Sequence, residues 1–167
     1  MRGVLHGLFI ALVAATSLWG QSAAMPMTSG ETVSGKRIVL AEVLRGRTSV
    51  LVMSFSREAG NRSNAWFRPD RADAALAGVT VYQAAMLQAA PGLVRGVIKN
   101  SMRKGLTASE QDHTVILLQD EKLWRSYFGV TADKDPYVVL IDAAGQVRWH
   151  GHGEARDLEP LLKAALK

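Results

Sequence analysis

Tyr137-Val138-Val139-Leu140-Ile141-Asp142-Ala143-Ala144-Gly145-Gln146-Val147-Arg148-Trp149-His150 is the stretch on which the fold turns. Aromatic and branched residues run from 137 to 141, the composition of a buried strand. Asp142-Ala143-Ala144-Gly145 then supplies tight-turn chemistry, and an extended segment over 146–150 completes a hairpin. Beyond it, Leu158, Leu161, Leu162, Ala165 and Leu166 fall on one face of a helix predicted over 158–166. Pro160 sits in the first turn of that helix, where proline is tolerated. Glu159 and Lys163 form an i,i+4 pair.

Upstream of the hairpin, strand and helix signals alternate. Residues 114–118 read as a strand, and Asp120 is placed to cap a short helix burying Leu123, Trp124, Tyr127 and Phe128, ended by Gly129. Helical spacing recurs at Leu93, Val94, Val97, Ile98 and Met102 within residues 92–105. Residues 79–84 form a second core strand. The run Val50-Leu51-Val52-Met53 within 48–55 is continuously apolar, as a strand covered on both faces should be. A polar loop over 56–63 follows it, then a helix through Trp66 and Phe67, kinked near Pro69 and ending by Gly78. Before the core strand, residues 32–40 read as two short strands around Ser34-Gly35, and 41–44 as a brief turn or helical piece.

The chain has 167 residues, 48% apolar and 21% charged, with a net charge of +5. That length and composition suit one globular domain with a sizeable core. The basic balance suits acidic partners or an anionic membrane surface. No dense basic run interleaved with aromatics occurs, so nucleic acid is not an expected partner. Arg2, an apolar stretch over 8–18 and the small residues Gln21-Ser22-Ala23-Ala24 form a secretory signal, with cleavage expected after Ala24. A retained membrane anchor is the alternative, although the apolar stretch is short for a span of ~20 residues. The reading is therefore a signal peptide over 1–24, a flexible lead-in over 25–31 and one domain over 32–167, exported to the periplasm, soluble or loosely membrane-associated.

Three local patterns resemble the thioredoxin superfamily, in its TlpA-like and peroxiredoxin-like branch. The first is Gly35-Lys36 through Leu40, with Leu44 to Gly46-Arg47 leading into the core strand. The second is Tyr127-Phe128-Gly129-Val130 followed by Asp135-Pro136, and the third is Val139 through Val147. The resemblance covers nearly all of the chain after Glu31. It implies a three-layer α/β/α domain with a central mixed sheet and a C-terminal β-hairpin plus helix. The tail Arg148-Trp149-His150-Gly151-His152-Gly153-Glu154-Ala155, with Asp142 before it, is also similar to a mitochondrial assembly-factor family. Members of that family help assemble the membrane sector of ATP synthase and are thioredoxin-like without redox cysteines.

Catalytic thioredoxin-like proteins carry Cys-x-x-Cys after the first core strand, where a helix N-terminus lowers the thiol pKa. The resemblance places the equivalent positions at Gly60 and Ser63, and the sequence contains no cysteine. Thiol–disulfide exchange and thiol peroxidase chemistry are thereby excluded. A serine hydroxyl is a poor nucleophile without an adjacent base. What the fold retains is a groove for extended polypeptide between that loop and the X-Pro loop. Arg57, Gly60, Ser63 and Trp66 would face Asp135, Pro136 and Tyr137 across it; the X-Pro bond of this fold is often cis, and the sequence leaves the isomer of Asp135–Pro136 open. The alternative is that Trp66 and Tyr137 are core residues and Arg57 is solvated.

Two further constellations remain open. Arg95, Lys99 and Arg103 share one helix face opposite Val94, Val97 and Ile98, which suits either an ordinary solvated face or an anionic membrane surface. His150 and His152 share a strand face and, with Glu154, could begin a metal site for a non-thiol enzyme, but the ligand set is incomplete. Residues 30–37 only approximate a phosphate-binding loop, since Arg37 stands where Ser or Thr would hold magnesium. No cofactor is expected. The leading expectation is a non-catalytic protein that binds another polypeptide, a subunit of a membrane complex.

Overall fold

In a computed structural model, residues 25–67 and 78–167 are described. The signal segment over 1–24 and the expected kink at Pro69 lie outside them. The described elements run β1 (Ser29–Thr32), β2 (Arg37–Val39), α1 (Leu40–Val43), β3 (Ser49–Ser54), α2 (Arg57–Ser63), a 3-10 turn (Asn64–Phe67), β4 (Thr80–Met86), α3 (Gly92–Gly105), α4 (Ala108–His113), β5 (Thr114–Leu117), α5 (Glu121–Phe128), β6 (Tyr137–Ile141), β7 (Val147–His152) and α6 (Ala155–Ala165). They build a mixed seven-stranded sheet in the order β2-β1-β5-β4-β3-β6-β7. No helix among the described residues is long and apolar enough to cross a membrane.

The sheet is covered on both faces, and the pleat sorts the residues. Leu51 and Met53 of β3 join Val139 and Ile141 of β6 against Leu40 and Leu44 at α1 and Trp124 on α5. The alternate residues Val50, Val52, Val138 and Leu140 pack on the other face against Trp66 and against Ala155, Leu158 and Leu162 of α6. Every residue of β3 is buried, as its uninterrupted apolar run requires of a strand between two layers. β3 pairs parallel with β4 and antiparallel with β6, with Leu51 opposite both Tyr82 and Val139. The three-layer architecture is that of the thioredoxin fold.

Several local expectations are corrected. The first strand lies earlier than the sequence suggests: β1 spans Ser29–Thr32 and pairs with both β2 and β5. The expected lead-in over 25–31 is thus partly sheet. Gly30 permits the pairing, because a Cβ there would lie 2.7 Å from Leu117 and Val115 side-chain carbons. Residues 57–63 are helical instead of a loop, since Ser56 accepts a hydrogen bond from Ala59 N at 3.1 Å and so caps α2. The helix α4 was not anticipated, although Thr107 and Glu110 form a reciprocal capping box legible in the sequence.

Asp120 does not cap α5 with its side chain. It adopts φ 63, and its carboxylate accepts from Thr28 Oγ1 at 2.8 Å. Leu123 is 58% exposed instead of buried. The last helix begins at Ala155, so Pro160 lies beyond its first turn. Its ring nitrogen cannot donate to the carbonyl one turn back.

Candidate functional site

The helix α2 starts directly beyond β3, where this fold carries its redox centre. Ser56 both caps the helix and donates to Asp133 O at 2.6 Å, which fastens the helix start to the loop before β6. Gly60 falls one turn into the helix and Ser63 at its last residue. Ser63 is fully buried, and its hydroxyl donates to Gly60 O at 2.8 Å while accepting from Ser54 at 3.3 Å. The Gln83 side-chain amide donates to the same oxygen. Where a thiol would stand there is a closed polar cluster. No ionisable side chain is among the bonded partners of Ser63, so its proton serves an internal hydrogen bond and no base withdraws it.

The expected polypeptide groove is not lined as the sequence suggests. Trp66 and Tyr137 are 7% and 2% exposed and belong to the cores on opposite faces of the sheet. The alternation of β6 turns Tyr137 toward Phe55 and Phe128, and its hydroxyl accepts from Thr131 N at 2.8 Å and Ala132 N at 2.9 Å. Trp66 Nε1 is buried without a hydrogen-bond partner among the described residues. Pro136 is buried too, and the Asp135–Pro136 bond is trans, a point the sequence leaves open.

The two sides of the groove are instead bridged. Asp135 binds Arg62 of α2 at 3.1 Å through one carboxylate oxygen and His152 Nδ1 at 3.1 Å through the other. Arg62 also pairs with Glu58 at 2.8 Å. The His152 ring stacks on Tyr137 at 5.1 Å. Arg57, by contrast, is exposed at the start of α2. The sequence points to Arg57 and not to Arg62, because the polar run over 56–63 carries no apolar periodicity to reveal its helical phase.

The helix α3 is held in an unusual way. Arg95 donates to Ala90 O at 2.7 Å and Gln88 O at 2.6 Å, and Lys99 pairs with Glu31 of β1 at 2.5 Å. Arg103 donates to Val33 O at 3.0 Å. These bonds tie the basic face to the protein, with Arg95 and Lys99 half-buried and Arg103 exposed. Lys99 holds the Glu31 carboxyl below its ordinary range, chiefly through the hydrogen bond. The apolar face stays open: no residue of α3 is buried, with Leu93 91% and Val97 69% exposed. Between that face, α2 and the ends of β3 and β4 lies a cleft of about 1050 Å³.

The tail motif is structural in its contacts. Asp142 Oδ1 accepts from Ala144 N at 3.0 Å and Gln146 N at 2.9 Å, which forms the hairpin turn. Trp149 packs on the α6 side of the sheet, and a Cβ at Gly151 would lie 2.9 Å from its indole. Gly153 turns the chain at φ +127 and donates to Pro136 O at 3.1 Å. Arg148 is exposed and reaches Asp142 only at 4.0 Å. His150 and His152 share the exposed face of β7, as expected. Glu154, however, pairs with Arg156 at 3.2 Å, and among the described residues no three His, Cys, Asp or Glu side chains gather as metal ligands.

Fold and site together define a cysteine-free thioredoxin-like domain whose redox position is a buried serine–glutamine cluster. Comparison with solved structures supports the fold. An electron transfer protein (so described) from Aquifex aeolicus VF5 aligns with TM-score 0.61 at 13% identity, over 88% of this chain and 96% of that one. StoA from Bacillus subtilis gives 0.56 at 14% identity, over 87% and 100%. The thioredoxin domain of a thiol-disulfide oxidoreductase from Bacteroides vulgatus gives 0.53 at 15%, over 89% and 99%. No curated protein matches the sequence. The family model described as ATP10 protein matches residues 11–166, and the chain belongs to that family.

Proposed function

We propose that this chain is an exported, non-catalytic thioredoxin-like protein that binds another polypeptide and assists assembly of a membrane complex such as ATP synthase. The observation that carries the reading is the family match over residues 11–166 in a chain without cysteine. The hydroxyl of Ser63 fits it, being fully engaged inside the fold. The retained fold supplies a binding scaffold, and the basic balance favours acidic or membrane-associated partners.

Affinity purification of the tagged full chain from the native membrane fraction tests the assembly role. Recovery of membrane-sector ATP-synthase subunits is expected. A folded, expressed chain that never recovers them, and whose deletion leaves the assembled complex at its normal level, would overturn the reading. Fractionation tests the address: the periplasmic product should begin at Met25.

A further inference from the structure

We propose that the end of the fold carrying Met27, Leu93, Leu118 and Leu123 rests on the lipid bilayer as a peripheral membrane-contact rim. Such a rim needs no partner protein and takes from the proposed function only its export signal. Met27, Leu118 and Leu123 are 57%, 46% and 58% exposed, and Leu93 more so. One hydrogen-bonded group gathers the first three. Thr28 is fully buried, donates to Asp120 at 2.8 Å and accepts from Trp124 Nε1 at 3.0 Å, so residues 27, 118 and 123 flank a single junction. Gln88 ties the start of α3 to the same end. Its side-chain oxygen accepts from Glu121 N at 2.8 Å and its backbone oxygen from Arg95 at 2.6 Å. Exposed leucines scattered singly are ordinary on a soluble protein, whereas a gathered patch marks a contact surface.

Charge and chain entry both select lipid as the occupant. Asp120 is engaged by Thr28, and Glu121 binds Arg125 at 2.8 Å, while Lys122 beside them stands exposed. A bilayer interface takes apolar tips flanked by a cation, whose stem lies along the acyl boundary while its ammonium meets the headgroups. Met25 packs against the core and β1 begins at Ser29, so the chain enters the fold at this rim. The apolar stretch over 8–18, the expected export signal, ends nine residues before Met27, a reach of at most about 30 Å. While such a signal sits in the bilayer, the rim is the part of the domain tethered toward it.

The chain has no cysteine, so a single introduced thiol takes one environment-sensitive dye. In the mature protein, a nitrobenzoxadiazole label on Leu123→Cys should brighten and shift to the blue on mixing with phosphatidylethanolamine–phosphatidylglycerol vesicles. A label on Arg47→Cys, exposed before the start of β3 at the opposite end of the sheet, should stay silent. The response at 123 should persist at about 1 M salt, where charges are screened beyond ~3 Å. Leu118→Asp combined with Leu123→Asp, both at exposed positions, should leave the chain folded and lower vesicle co-sedimentation about ten-fold or more. Undiminished co-sedimentation of the folded double variant, an equal response at 47, or binding that vanishes in salt would overturn the proposal. So would a wild-type dimer in lipid-free sedimentation that the double variant dissolves, because the occupant would then be a second copy. Fractionation judges export separately. A chain that stays in the cytoplasm yet binds vesicles through 123 loses its address and keeps its rim; an exported chain that ignores vesicles does the reverse.

Discussion

Gly151 shows how one residue of the tail motif is set by its neighbour. The indole of Trp149 lies where a side chain at 151 would begin, 2.9 Å from an added Cβ, with Leu158 at 3.3 Å. Gly151→Ala should therefore destabilise by about 1–3 kcal/mol, the scale of overpacking, read by chemical denaturation. A residue with the opposite constraint is Trp124, fully buried with its Nε1 donating to Thr28 Oγ1 at 3.0 Å. Trp124→Ala should cost about 3–5 kcal/mol. The same burial explains why substituting Trp66 or Tyr137 cannot probe partner binding: either change would be read first as lost stability.

At the scale of elements, α3 buries none of its residues. Its anchor to β1 is the Lys99–Glu31 pair, which keeps the Glu31 carboxyl below its ordinary 4.5. A carboxyl whose folded pKa is depressed contributes stability above its unfolded value and loses it as pH falls through the folded one. Asp112, held below 3.8 chiefly by Lys36, adds to the same edge of the fold. Acidification below about pH 4.5 should thus speed amide exchange in α3 before β3, and Lys99→Ala should reproduce the effect at neutral pH. The bridge across α2 is the second element-scale case. Asp135→Asn should lower stability by about 1 kcal/mol or less, since its partners are partly solvated, and should raise exchange across α2.

For the whole molecule, the absence of cysteine from all 167 residues predicts a melting temperature indifferent to reductant and no reduction of insulin disulfides. The sheet was legible because its strands are covered on both faces, and such strands announce themselves as apolar runs such as 50–53 and 137–141. The turn at Asp142 and the cap at Gly129 were legible because their chemistry is local. Partnerships between distant residues were not. Whether Arg62 or Arg57 meets Asp135 depends on the phase of α2, which Ser56 sets from outside the apolar pattern. Which way α3 faces depends on Glu31 and Val33, sixty or more positions away. Sequence alone thus determined the fold class, the family-like tail and the loss of thiol chemistry, because residue types and short spacings carry them. Only the tertiary structure decided that the redox groove is bridged, that Trp66 and Tyr137 lie on opposite sides of the sheet, and that the apolar face of α3 stands open. Those outcomes rest on long-range pairing between elements whose local signals are silent about one another.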